Sequence, residues 1–195
     1  MPDILLATKF HIPPLHRNLI NRPPLIQRLN DGMAHNRRLT FISAPAGYGK
    51  STLLRQWISQ VDLPVAWLSL EKDDNAPTRF WSYFISALHS IPVLQQSGIG
   101  GSMLQVLQSP QPPPVESLLP SLVNELARLN QRVLLVLDDL HVITEGQIHR
   151  DLIFLIDHLP RSESGLHLVI ASRMDPPWPM ARWRAHSELT DVRAV

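Results

Sequence analysis

The sequence contains no cysteine. That excludes disulfides, thiol nucleophiles and thiolate metal sites, and suits a reducing, cytoplasmic setting. Net charge is nearly absent too: 18 Lys+Arg against 17 Asp+Glu leave a formal +1. With no broad basic field to hold a polyphosphate backbone, nucleic-acid binding by this segment has no electrostatic footprint. Long apolar runs are missing, because Pro64, Asp138, Arg150 and His167 break or flank the longest of them, and a membrane span needs about 18 such residues in a row. The first residues lack a basic start, and their four-residue apolar run Ile4 to Ala7 is too short for a signal-peptide core. Export is not expected. Glycine is sparse at 8 residues, whereas proline is plentiful at 18 and punctuates the chain rather than repeating.

What is present suits one compact domain. Hydrophobic residues make up 44% of 195, enough to bury a core and too many for intrinsic disorder. Residues 1–38 are Pro-interrupted: Pro13-Pro14 and Pro23-Pro24 bracket Leu19-Ile20-Asn21-Arg22, and Leu25, Ile26 and Leu29 follow at helical spacing. An arm and a short helix are expected there. The β-branched run Leu39 to Ala44 reads as a buried strand meeting a turn, and a helix follows from Lys50 to about Val61. Pro64 to Leu70 predicts a second strand, and Pro77 opens a helix carrying Phe80, Trp81, Phe84, Ile85 and Leu88.

Residues 91–114 interrupt this rhythm with Gly98-Ile99-Gly100-Gly101 and Pro110 to Pro114, a composition that predicts a Pro/Gly-rich loop. Val115 to Leu129 then predicts a helix, Arg132 to Leu137 a strand buried on both faces, and Gln147 to Leu159 a helix. Leu166 to Ala171 and, more briefly, Glu188 to Val192 complete five strands. Strands alternating with helices mean an α/β domain with an open, mainly parallel five-stranded sheet.

The stretch Ala44-Pro45-Ala46-Gly47-Tyr48-Gly49-Lys50-Ser51 matches the phosphate-binding pattern G-x-x-x-x-G-K-S/T, with Ala44 in place of the first Gly. Gly47 and Gly49 permit a loop whose N–H groups point inward, and the following helix N-terminus favours an anion. Lys50 would reach the β/γ-phosphates, Ser51 would offer its hydroxyl to Mg²⁺, and Thr52 is a further phosphate contact. A bare helix entry could carry the same residues, but the flanking strand and helix and a later strand ending in acid favour nucleotide binding. Asp138 would hold Mg²⁺ through water and Asp139 would orient or deprotonate an attacking water, unless it is simply a solvated turn acid. Arg173, at the carboxyl edge of the fourth strand, would contact the γ-phosphate; the competing role is a surface pair with Asp175.

Other constellations are weak. Nine His are scattered without an H-E-x-x-H pair, so no metal cluster is proposed. Trp57, Trp67 and Trp81 fall in apolar patterns and are assigned to the core. Neither a G-x-S-x-G elbow nor an N-K-x-D base-reading motif occurs, which leaves ATP as the default nucleotide.

Thr8-Lys9-Phe10, Asn21-Arg22-Pro23, the phosphate loop through Leu53, Leu137-Asp138-Asp139, and Ala171-Ser172-Arg173 with Pro176-Pro177 occur in a telling order. With the stretch Trp178 to Arg184, they resemble the N-terminal ATPase of MalT-type LuxR-family regulators, which are STAND-class signal-transduction ATPases. The resemblance implies a P-loop NTPase fold of three α/β/α layers, an ADP-bound resting state and an ATP-bound, self-associating active state. It also implies that Ala46, Gly47, Tyr48, Gly49, Lys50, Ser51 and Thr52 form the nucleotide loop, Asp138 and Asp139 the acidic strand end, Arg173 a sensor arginine and Arg22 a base-side contact. Asn21, where relatives often carry Gly, and the Asp175 to Trp178 segment depart from the pattern.

Members of that family continue into winged-helix, sensor-repeat and DNA-binding helix-turn-helix domains. None is found here, so the chain is expected to be a truncated switch domain: residues 1–38 as an arm over the site, 39–195 as the core, DNA reached only through other domains. Two other readings stay open: a nucleotide-binding interaction module without turnover, and a small P-loop kinase. The kinase would need an Arg-rich lid, and residues 91–114 contain no Arg.

Overall fold

The computed structural model describes residues 5–14 and 20–193. Residues 1–4 and 15–19 of the expected arm, Leu19 among them, and residues 194–195 of the expected core lie outside the described residues. Five strands, β1 (Leu39–Ser43), β2 (Val65–Ser69), β3 (Arg132–Asp138), β4 (Gly165–Ser172) and β5 (Leu189–Arg193), form one sheet in the order β2-β3-β4-β1-β5. Every pairing is parallel.

Alternation along these strands divides the core in two. Ile42, Trp67, Leu134, Val136, Val169, Ala171 and Val192 pack on one face with Ile26, Leu29 and Met33 of α1 (Pro23–Ala34) and Leu53, Leu54, Trp57 and Ile58 of α2 (Lys50–Ile58). Phe41, Leu68, Leu135, Leu168 and Leu189 point to the other face. There they meet α3 (Pro77–Leu88), α4 (Pro92–Ser97), α5 (Gly101–Leu107), α6 (Leu119–Leu126), α7 (Gly146–His158) and α8 (Met180–Ala185). The three-layer α/β/α fold is thus present, and Trp57, Trp67 and Trp81 are fully buried in it. Among the described residues no helix is long and apolar enough to cross a membrane.

The loop expected over 91–114 needs correcting. Residues 92–97 and 101–107 are helical, and Ile91, Leu94, Ile99, Met103 and Leu107 are buried in the larger core. Pro92 sits at a helix start, where its fixed φ is favourable. Gly98 (φ +68°) closes α4 and Gly100 (φ +72°) opens α5, so the residues that looked like loop composition are helix boundaries. Only the Pro-rich stretch before Val115 stays irregular. The segment packs into the larger core.

Three contacts fix the chain around this frame. Lys9 is buried and reaches Asp74 Oδ1 and Oδ2 at 2.8 and 2.6 Å, holding the described part of the arm beside β2. His167 on β4 is bonded to Thr40 Oγ1 (2.8 Å) and to the Arg37 carbonyl (2.7 Å). Trp178 donates from Nε1 to His149 Nδ1 at 3.0 Å, which seats the segment after β4 on α7.

Candidate functional site

Because the strands are parallel, their carboxyl ends share one edge, where ligands of open α/β sheets bind. The central position of β1 decides what gathers there: Ser43 is in register with Ser172 of β4 and with Arg193 of β5. The loop from Ala44 to Gly49 therefore rises between the ends of two neighbouring strands. Ser69 of β2 is in register with Asp138.

The loop has the conformation its glycines were expected to supply. Gly47 (φ +81°) and Gly49 (φ +76°) are left-handed, a region L side chains rarely adopt, and Gly49 is the residue from which α2 starts. Lys50 is buried and its Nζ donates to the carbonyls of Ala44 (2.8 Å) and Pro45 (3.2 Å), across the loop it follows. Ser51 and Thr52, on the first turn of α2, are half-buried, while Ala46 and Tyr48 are exposed.

Asp138 is buried at the end of β3. Burial pushes its carboxyl pKa up and the charge of Asp139 adds to this; the Ser51 hydroxyl, the Asp139 N–H and the Lys50 charge oppose it. The Asp139 N–H donates to Asp138 Oδ1 at 3.0 Å. Asp139 itself sits in the left-handed region (φ +61°), unusual for a non-glycine residue, and half-exposes its carboxylate.

One of the nine scattered histidines stands beside this acidic strand end. His141 Nδ1 is buried without a hydrogen-bond partner and lies 3.6 Å from Asp139 Oδ1. Burial lowers its pKa, the Asp139 charge resists, and the nearby Arg173 and Lys50 charges reinforce the lowering. The imidazole is thus neutral at pH 7, and Lys50, Asp139, His141 and Arg173 fall within one electrostatic neighbourhood. Its place three residues past an acidic strand end was the available signal.

Arg173 is exposed at the end of β4. The alternative pair with Asp175 does not form: Asp175 takes Arg193 Nη2 at 2.7 Å instead. Arg22 precedes α1 and donates from Nη1 to the Tyr48 carbonyl at 2.9 Å, and its Nη2 lies against Gly49. It therefore touches the loop backbone. Asn21 lines a separate cavity with Gln27, Asn30 and Gln60.

Between Arg22, the loop and β5 lies a cavity of about 290 Å³. Leu25, Leu53 and Val192 give it apolar walls, and Arg22, Lys50 and Arg193 converge on it. Leu25, Val192 and Arg193 were missed in the sequence, because nothing local indicates that β5 runs beside β1.

The chain resembles known proteins along almost its full length. It is 35% identical over 190 residues to the HTH-type transcriptional regulator MalT of Yersinia enterocolitica, covering 97% of this chain and 20% of that protein. Against MalT of Serratia proteamaculans it is 35% identical over 193 residues, with the same two shares. The chain thus spans about a fifth of the length of these relatives. Among solved structures, the Walker-type ATPase PABY2304 of Pyrococcus abyssi superimposes with a TM-score of 0.48 at 14% identity, over 82% of this chain and 47% of that one. The profile of the AAA domain family matches residues 33–173, which include β1, the phosphate-type loop, the acidic end of β3 and Arg173. The chain belongs to the AAA domain family, and its match there is to the N-terminal region of MalT regulators.

Proposed function

We propose that this chain is the ATP-binding switch domain of a MalT-type transcriptional regulator, exchanging ADP for ATP and hydrolysing ATP slowly. One observation carries the reading: Lys50 Nζ is held over a loop whose Gly47 and Gly49 are left-handed, at the carboxyl edge of a parallel sheet. Such a loop aims backbone N–H groups and a helix N-terminus at phosphate.

The residues fit a nucleotide and Mg²⁺. Lys50 and the N–H groups of residues 46–52 would take the phosphates, and the neighbouring cavity with Arg22 above it would take the base and ribose. Ser51 and the buried Asp138 carboxylate put two oxygen donors side by side, the chemistry a hard divalent cation selects. Mg²⁺, when bound, neutralises phosphate charge. Asp139 would orient or deprotonate water, with His141 beside it. Arg173, which finds no carboxylate partner in Asp175, is offered to a γ-phosphate. Self-association in the ATP state, a cytoplasmic setting and DNA contact through other domains follow from the family reading alone.

The test is a titration of the 195-residue chain with MgATP and MgADP, followed by Trp fluorescence, beside Lys50→Ala. Saturable binding that the variant loses by tenfold or more supports the proposal. A folded chain that binds neither nucleotide, or a variant that binds both unchanged, overturns it. Phosphate release is measured separately: turnover that Asp139→Asn and Arg173→Ala reduce assigns those two roles. Binding with no release leaves an interaction module without hydrolysis.

A further inference from the structure

Helix α2 carries a second buried cation. Arg55 is 5% exposed, yet its Nε and Nη2 have no hydrogen-bond partner. Burial lowers its pKa, and no acidic group acts against this. A guanidinium stays protonated all the same, and folded proteins pair buried charges. Other buried cations of this domain follow that rule: Lys9 has Asp74, and Lys50 has two loop carbonyls.

Arg55 also lines a cavity of about 310 Å³, with Ile12 and Pro13 of the arm, Ile58 and Ser59 at the end of α2, and Val65 at the start of β2. None of these residues lines the cavity beside the phosphate-type loop. The walls are apolar apart from Arg55 and Ser59, and the Ser59 hydroxyl is already donating to the Gln56 carbonyl at 2.9 Å. Among the described residues the cavity thus offers a single charge, unneutralised, in an apolar surrounding, at the small end of the roughly 300–1,000 Å³ typical of ligand pockets.

We propose that Arg55 and this cavity form a binding site for a carboxylate carrying a short apolar tail. A lone guanidinium fork matches the two oxygens of a carboxylate. Inorganic phosphate is disfavoured, since among the described residues no second cation lines the cavity. The carboxylate can come from a free small acid or from an Asp or Glu side chain of a second copy of this chain; both present the same group to Arg55.

The test follows thermal unfolding of the 195-residue chain in sodium hexanoate, hexanamide, sodium phosphate and sodium chloride at matched ionic strength. The expected result is a saturable rise in Tm with hexanoate alone. Arg55→Met should unfold at a higher temperature than the ligand-free parent, having lost an unpaired buried charge, and should bind hexanoate at least tenfold more weakly. Arg55→Gln serves if the Met variant does not fold. Sedimentation separates the sources: a dimer dissolved both by hexanoate and by Arg55→Met places the carboxylate on a second copy, and a monomer throughout leaves the free acid. Equal responses to hexanoate and hexanamide, an undiminished response in both Arg55 variants, no response at all, or a stronger response to phosphate would each overturn the proposal. MgATP binding unchanged in Arg55→Met supports a site separate from the nucleotide loop, and loss of that binding by a folded variant refutes the separation.

Discussion

Lys50 and Ala44 bracket the phosphate-type loop and are joined across it: the ammonium of Lys50 donates to the Ala44 carbonyl at 2.8 Å. The cation is thereby held in place by groups that accept weakly, and an incoming phosphate is the stronger acceptor. Hydrogen bonds to charged groups contribute about 1.5–3 kcal/mol each. Lys50→Ala should accordingly weaken MgATP and MgADP by about 10- to 100-fold, while calorimetric unfolding shows the fold intact.

Asp138 leads to a pH prediction. Its folded pKa is raised, chiefly by burial. A carboxyl group of this kind contributes its stability at pH below its unfolded value and loses it as pH rises through the folded value. Asp138→Asn should therefore be more stable than the parent at pH 7, with the gap closing toward pH 4, while the Mg²⁺ dependence of nucleotide binding is lost. Urea midpoints across that range check the sign, and a variant less stable at pH 7 would show that the Ser51 and Lys50 contacts outweigh burial.

His167 works in the opposite direction. Burial holds its pKa at about 4, and the Arg37 carbonyl and Thr40 hydroxyl take both ring nitrogens of the neutral imidazole. An unfolded histidine titrates near 6.5, so stability is complete above that pH and falls between 6.5 and about 4. The integrated loss is about 3 kcal/mol. His167→Gln should flatten this part of the stability profile, measured by urea unfolding at half-unit pH intervals.

The Lys9–Asp74 pair predicts how the arm is held. Asp74 is fully buried and also accepts from the Glu71 N–H at 2.9 Å. Removing one partner of a buried pair costs about 3–5 kcal/mol, whereas replacing both with apolar residues is often close to neutral. Lys9→Met alone should lose stability by less than that, because Arg79 Nε stays 3.4 Å from Asp74 Oδ1, and Lys9→Met with Asp74→Leu should recover part of it. A double-mutant cycle in urea measures the coupling.

Packing around α1 gives a last prediction. A Cβ added at Gly32 would lie 1.9 Å from Thr190 Oγ1 and 2.9 Å from Thr190 Cβ on β5, so Gly32→Ala must displace the Thr190 side chain or α1 itself. A loss of about 1–3 kcal/mol is expected, and Gly32→Ala with Thr190→Ala, which removes the oxygen nearest the added methyl, should restore part of it.

The alternation of strands and helices, the buried tryptophans, the glycine-bounded loop with Lys50 and Ser51, and the acidic end of β3 were all legible in the sequence. Each is a local matter, set by side-chain periodicity or by a glycine that permits positive φ within a few residues. The 91–107 segment was misjudged because Gly and Pro mark helix ends as well as loops, and composition cannot tell the two apart. What only the tertiary structure decided is who stands beside whom. The order β2-β3-β4-β1-β5 brings Arg193 beside Ser43, gives Asp175 to Arg193 rather than Arg173, and sets Arg22 on the Tyr48 carbonyl. It likewise leaves Arg55 Nε and Nη2 buried without a hydrogen-bond partner. Parallel strands are joined through crossovers, so their order is fixed by packing both faces of the whole sheet at once, and no local stretch of sequence carries that information.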